Sequence, residues 1–278
     1  MPTRARPWHR KMKSAWRIGT RPVRTATAFA RVRPDFLIIG AMRCGTTTLH
    51  GYMRRHPNVR MSSPKEVHYF DRHYDRGDAW YLGHFPLAVE RWVAERRGNP
   101  LVAGEATPVY LFDPLVPPRV KSTLPDARFL LLFRNPIDRA YSHYQRSYRI
   151  RRETHSFEEA IEAEQARLAL GGDDPHDPEK AYLERGWYAQ QFQRWLQLFP
   201  RDRFLVLRSE ELFRDPAATC RGVSGFLEIP DFPAVAPHRR NAGSYAPMRE
   251  DTRAHLRAHF DSHNRALYEL TGIDFGWR

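Results

Sequence analysis

The apolar positions of the chain fall into short unbroken runs separated by longer periodic stretches. Phe36 to Ile39 is one such run, and it stops at Gly40. A run without alternation predicts a strand buried on both faces of a parallel sheet. After it, Leu49, Tyr52, Met53 and His56 recur at helical spacing until Pro57 ends the pattern. Similar runs open the segment LVAGEATPVYLF, fill Arg128 to Phe133 and return at Phe204 to Leu207. Helices are predicted over Asp78 to Phe85, Leu87 to Arg97, Gly186 to Phe199, Pro216 to Leu227 and Arg249 to Leu270, with a short one from Ser209. Asn135 and Pro136 supply a cap and a first helical residue for a further helix, whose buried stripe reads Ile137, Tyr141, Tyr144 and Tyr148. That leaves Asp138, Ser142 and Gln145 on another face. In Val67, Tyr69 and Phe70, strict alternation would put Glu66 and His68 on one face of an extended segment. Strands alternating with helices predict an α/β fold: one domain with a central, mainly parallel sheet flanked by helices, and a P-loop-like nucleotide-binding core.

The candidate chemistry sits where the first strand meets the first helix. In GAMRCGTTTL, Gly40 and Gly45 have the spacing of a phosphate-binding loop, which aims backbone N–H groups and a helix N-terminus at an anion. Thr46, Thr47 and Thr48 add hydroxyls. The triphosphate motif G-x-x-x-x-G-K-[ST] fails at Thr46, where lysine is required, which disfavours a nucleotide kinase of the same loop family. Arg43 supplies a cation from inside the loop instead. A phosphatase reading of Cys44 needs an arginine six residues on, where His50 stands. A glycine turn with no ligand is the bland alternative. Two further clusters lie near predicted strand ends. Glu66 and His68 are candidates for taking a proton from a hydroxyl, or form an ordinary ion pair with an arginine. Glu105, Thr107 and Tyr110 follow a strand and are expected on the substrate side of the cleft. Arg134 at a strand tip and Ser142 in the following helix could grip a second phosphate.

Composition narrows the rest. A chain of 278 residues with 41% hydrophobic residues can bury a core, so it is not a disordered sequence. Cys44 and Cys220 stand far apart, predicting neither disulfide nor zinc site, and nothing in the sequence calls for a metal. The net charge of +13 is concentrated in the first 34 residues, which contain no Asp or Glu. Residues 1–33 are expected to be a basic, poorly ordered leader ahead of a catalytic domain over 34–278. A contact with anionic lipid or nucleic acid and an organelle transit peptide are the other readings of that leader. No apolar stretch is long enough for a signal peptide or a membrane span, so the expected address is cytoplasmic, with peripheral membrane association through the leader as the alternative. The polar stretch GGDDPHDPEK, 171–180, reads as a surface loop or lid.

Taken together, GAMRCGTTTL, KEVHYFD, ATPVY, FRNPIDRAYSHY, LFPRDRFLVLRSEELFRDP and NRALYELTGIDFGW resemble, in order and spacing, the sulfotransferases that use 3′-phosphoadenosine 5′-phosphosulfate (PAPS). The resemblance is to the carbohydrate, heparan-sulfate type branch and runs from about Asp35 to Trp277. It implies that Arg43, Cys44, Gly45, Thr46, Thr47 and Thr48 hold the 5′-phosphosulfate, and that Arg134 and Ser142 hold the 3′-phosphate. It further implies Glu66 as catalytic base, with His68 and Asp71 supporting the base or the acceptor. PAPS would be the donor, 3′-phosphoadenosine 5′-phosphate (PAP) the product, and a carbohydrate or glycolipid hydroxyl or amine the acceptor, with no nucleic-acid partner. Three departures shape the expectation. Arg43 stands where the branch has lysine, keeping the charge but not a group that readily gives up a proton. Ala106 stands where the branch has a second lysine, making a highly sulfated polysaccharide a poorer acceptor. The Lys-Gly-Arg loop before the last helix is replaced by RRNAGSY, in which Arg240 and Gly243 are the stand-ins.

Overall fold

The computed structural model describes residues 22–170, 180–233, 235 and 246–277. Five parallel strands form one sheet in the order β2-β3-β1-β4-β5: β1 Phe36–Gly40, β2 Val59–Met61, β3 Val102–Ala106, β4 Arg128–Phe133 and β5 Phe204–Arg208. The unbroken apolar runs have the predicted consequence, since every residue of β1 is buried. β2 was not evident in the sequence, because three residues, VRM, carry no readable period.

From β1 the chain crosses to the edge strand β2 and returns through β3, whereas from β4 it continues away on the opposite side to the other edge strand, β5. The β1/β4 boundary is therefore a topological switch point, where loops diverge and leave a crevice at the carboxyl ends of the strands. The phosphate-loop candidate leaves β1 here, and Arg134 leaves β4 beside it.

The helix after β4, Pro136–Arg149, departs from the expected stripe. Asn135 caps it by accepting from the Ile137 amide. Ile137 and Tyr144 are buried, but Tyr148 is 54% exposed, while Arg139, Ser142, His143 and Ser147 are buried. Polar groups on this inward face have partners from other elements: Arg139 donates to Tyr182 O, and Ser142 Oγ accepts from Arg43. The segment KEVHYFD departs too. It forms a turn in which Glu66 (φ 59°) and His68 (φ 55°) are left-handed, followed by the short helix Tyr69–Arg72.

Packing begins before residue 34. The Arg24 and Arg31 guanidinium groups donate to the carbonyls of Gly83 (2.5 Å) and Phe85 (2.6 Å), and Ala28 and Val32 are buried. Residues 22–33 thus pack against the rest of the protein; residues 1–21 of the expected leader, most of 171–180, and Arg240 and Gly243 lie outside the described residues. Among the described residues no helix is long and apolar enough to cross a membrane.

Candidate active site

The phosphate-loop candidate is shaped by its own backbone. Arg43 (φ 72°) and Gly45 (φ 89°) are left-handed, turning the chain sharply into the helix Thr46–Met53. The first N–H groups of a helix have no partners within it, so this turn presents them, with the positive end of the helix dipole, at the crevice. Gly40 is required for a separate reason: a Cβ there would lie 2.6 Å from Leu111 Cβ. The Ala41 amide donates to Leu132 O at 2.8 Å, fixing the loop to β4.

The loop and the β4 residues come together. Arg43 donates from Nε (3.2 Å) and Nη2 (2.9 Å) to Ser142 Oγ, and Arg134 Nη1 lies 3.4 Å from the Arg43 carbonyl. The guanidinium fork of Arg43 therefore reaches the side of the crevice expected to hold a second phosphate. His143, one residue on, reports the local field. Its pKa is driven well below the ordinary imidazole value, first by burial and then by Arg139, Arg185, Arg43 and Arg146. A neutral histidine amid these arginines marks a region that favours an anion.

Of the predicted loop residues, Thr46 and Thr48 are buried and Thr47 is partly exposed, whereas Cys44 turns its thiol away from the crevice. Its amide donates to Ala41 O (3.2 Å), its carbonyl accepts from the Ser209 hydroxyl, and its Sγ lies 3.6 Å from the Tyr188 hydroxyl. Burial pushes the thiol pKa up, outweighing the opposite pull of Tyr188, Arg139 and Arg134. Cys44 is thus a packing residue beneath the loop and lacks the thiolate character of a nucleophile. Tyr188, which also donates to Arg134 O at 3.0 Å, stands in the sequence only as part of the helix predicted over Gly186 to Phe199. No local signal marked it, because its partners are far away in the chain.

On the other side of β1, the Glu66 amide donates to Ala106 O at 3.1 Å, which sets the turn beside the carboxyl end of β3. The Glu66 side chain is 43% exposed and paired with Lys65. His68 Nδ1 lies 2.8 Å from Asp71 Oδ2, so the carboxylate orients the ring. Glu105, Thr107 and Tyr110, expected on the substrate side, are instead completely buried, with Thr107 Oγ1 donating to Glu105 Oε1 at 2.8 Å. The strand-end rule placed their backbone correctly, but their side chains point into the protein. Among the described residues no cluster of His, Cys, Asp and Glu could hold a metal ion.

A parallel sheet with a glycine loop at its switch point, an arginine-rich anion crevice and a carboxylate at the neighbouring strand end define a nucleotide-type group-transfer enzyme. Comparison with known proteins makes this specific. The sulfotransferase domain model matches residues 33–254, so the chain belongs to the sulfotransferase family and is a PAPS-dependent sulfotransferase. A heparan sulfate glucosamine 3-O-sulfotransferase 6 of Mus musculus is 31% identical over 271 residues, covering 88% of this chain and 73% of the relative. The membrane-associated sulfotransferase kil1 of Dictyostelium discoideum is 26% identical, covering 88% of this chain and 66% of the relative. Among solved structures, a sulfotransferase from Alicyclobacillus acidocaldarius matches with a TM-score of 0.68 and 31% identity over 89% of this chain and 99% of its own. The fold and the closeness to the heparan-sulfate branch expected from the sequence both stand.

Proposed function

We propose that the enzyme transfers the sulfuryl group of PAPS to a hydroxyl of a carbohydrate or glycolipid, with Glu66 as base and PAP as product. The observation that carries this reading is the contact of Arg43 with Ser142 and of Arg134 with the Arg43 backbone. It gathers the loop and the β4 pair into one crevice suited to a donor with anionic groups at two positions. Glu66 removes the acceptor proton as that oxygen attacks sulfur, in line with the departing phosphate oxygen. Charge then grows on the leaving oxygen, and Arg43 and the N–H groups of the loop stabilise it. As a guanidinium, Arg43 acts by charge and hydrogen bonding and does not deliver a proton.

The carbohydrate assignment rests on the relatives' names and on Glu66 standing partly exposed beside Lys65. Ala106 is buried and brings no cation to the acceptor side, which favours an acceptor carrying few sulfates. The cytoplasm is the proposed address, with the basic leader, residues 1–33, as the stretch that would mediate any association with anionic membranes; cell fractionation of the full chain and of a variant with the leader's arginines and lysines replaced tests both.

The central test is ligand protection followed by turnover. PAP should raise the Tm while ATP does not, because only a ligand bound by the folded state stabilises it. Glu66→Gln should lower kcat by about a hundredfold or more while leaving PAP protection intact. Protection by ATP alone would sink the donor assignment, and wild-type turnover in Glu66→Gln would sink the base.

A further inference from the structure

The turn that carries Glu66 and His68 is held in a conformation its residues do not favour. Left-handed non-glycine residues persist only where the surroundings over-determine them, and here there are two within three positions. The surroundings are specific. Ala106 O takes the Glu66 amide, Tyr110 Oη takes the Tyr69 amide at 2.9 Å, and Arg119 Nη1 donates to Phe70 O at 2.6 Å. Tyr110 in turn sits on Glu105, a completely buried carboxyl in the middle of the sheet.

Among the described residues no cation is paired with Glu105, whose neighbours are three hydroxyls and a second carboxylate. From the loop after β3 it meets Thr107 and Tyr110, from the helix Gly77–Leu82 it meets Tyr81, and from the helix Tyr69–Arg72 it feels the carboxylate of Asp71. Among the described residues no salt bridge reaches it, whereas Asp71 Oδ2 has His68 Nδ1 at 2.8 Å and Arg72 Nε at 3.5 Å. Three buried oxygens in this cluster, Glu105 Oε2, Asp71 Oδ1 and the Tyr81 hydroxyl, close no well-formed hydrogen bond. A completely buried carboxyl with one oxygen outside any well-formed hydrogen bond, and with no salt bridge among the described residues, is relieved by its own proton.

Building on Glu66 as base, we propose that Glu105 is a positioning residue that keeps its own proton at neutral pH, and that this neutral carboxyl anchors, through Tyr110, the turn holding Glu66 and His68. Burial raises its pKa, outweighing the lowering by the Tyr81, Tyr110 and Thr107 hydroxyls, and Asp71 raises it further. On the same turn the contact of His68 Nδ1 with Asp71 Oδ2 orients the imidazole. A carboxylic acid held neutral by an apolar site is an established device for donating a hydrogen bond.

The test compares isosteric variants and does not depend on turnover alone. Glu105→Gln, neutral and of the same shape, should fold and keep kcat, the KM for PAPS and Tm close to wild type. Tyr110→Phe, which removes only the oxygen that accepts the Tyr69 amide, should lower kcat about tenfold to a hundredfold with the KM for PAPS unchanged. Infrared spectra at neutral pH should contain a protonated-carboxyl stretch that disappears in Glu105→Gln and survives in Glu66→Gln. Hydrogen exchange at the Tyr69 amide should be slow in wild type and fast in Tyr110→Phe. Absence of that infrared band, its survival in Glu105→Gln, or collapse of folding or turnover in Glu105→Gln would overturn the proposal. If Glu66→Gln alone turned over normally, the base assignment would fall, while the infrared and exchange measurements would still decide the anchor.

Discussion

The two sides of the cleft differ in how far apart their parts lie in the chain. On the donor side, residues 40–48 make the phosphate loop almost alone: a strand stops, two left-handed residues turn the chain, and a helix begins. On the acceptor side, the turn at 65–71 has little local preference for its conformation and is fixed by Ala106, Tyr110 and Arg119, which arrive from other parts of the sequence. Under the proposed function the donor side recognises anionic oxygens, and the turn and helix N-terminus that would receive them come from one stretch of chain. The acceptor side must aim individual side chains, and aiming needs a scaffold.

The largest effect expected on the donor side comes from Arg43. Arg43→Ala should lower kcat by about a hundredfold or more, roughly 3 to 4 kcal/mol of barrier, as for other preorganised donors to a developing oxyanion. Arg43→Lys separates charge from geometry: it keeps the cation but loses the two-pronged contact with Ser142. Steady-state kinetics in which Lys recovers most of the loss would mean that charge at the leaving oxygen dominates. A Lys variant as impaired as Ala would mean that the fork itself is needed and would join the donor side to the acceptor side as a site of aimed side chains.

The same contrast explains what could be read from the sequence. Gly40, Arg43, Gly45 and the threonines were legible because glycine spacing and a strand-to-helix change are local signals, and Arg134 was legible as a charge at the tip of an apolar run. Arg134 with Ser142 was legible as a pair able to grip a second phosphate, the family resemblance implied the 3′-phosphate, and the structure brings Ser142 against the loop. The turn at Glu66 was misread as extended because alternation in a few residues cannot be told from a turn whose shape is imposed from outside. Cys44 was placed at the 5′-phosphosulfate by the family resemblance, and the burial of its thiol beside Tyr188 had no sequence signature, because Tyr188 lies far away in the chain. Tyr188, Arg139 and the burial of Glu105 had no sequence signature, since each exists through partners distant in the chain.

Next in size is Arg134. Arg134→Ala should weaken PAP binding by about tenfold to a hundredfold, the loss of a charge-assisted contact, while the affinity for inorganic sulfate changes little. Titration calorimetry with both ligands measures the difference. Equal loss for the two would place Arg134 at the common anion seat of the loop and would remove the distinction between its two ends.

The smallest effect concerns the support behind the donor side. Trp187, next to Tyr188, donates its indole N–H to His259 Nε2 at 3.3 Å and stacks on His263 at 4.9 Å between centroids. Burial, then His263 and His255, lower the pKa of His259 to about 4. In the unfolded chain its value is about 6.5, so between these limits the unfolded state binds more protons and stability must fall as pH falls. The contribution is complete above about pH 6.5 and is lost progressively toward pH 4, where protonation takes away the acceptor for Trp187. Melting curves across this range should therefore slope less in His259→Gln than in wild type. Exchange measured on the same samples should open first around Trp187 and Tyr188, with the amide of Tyr69 still protected. Simultaneous opening at both places would mean that the two sides of the cleft unfold as one unit, and their different construction would then have no energetic counterpart.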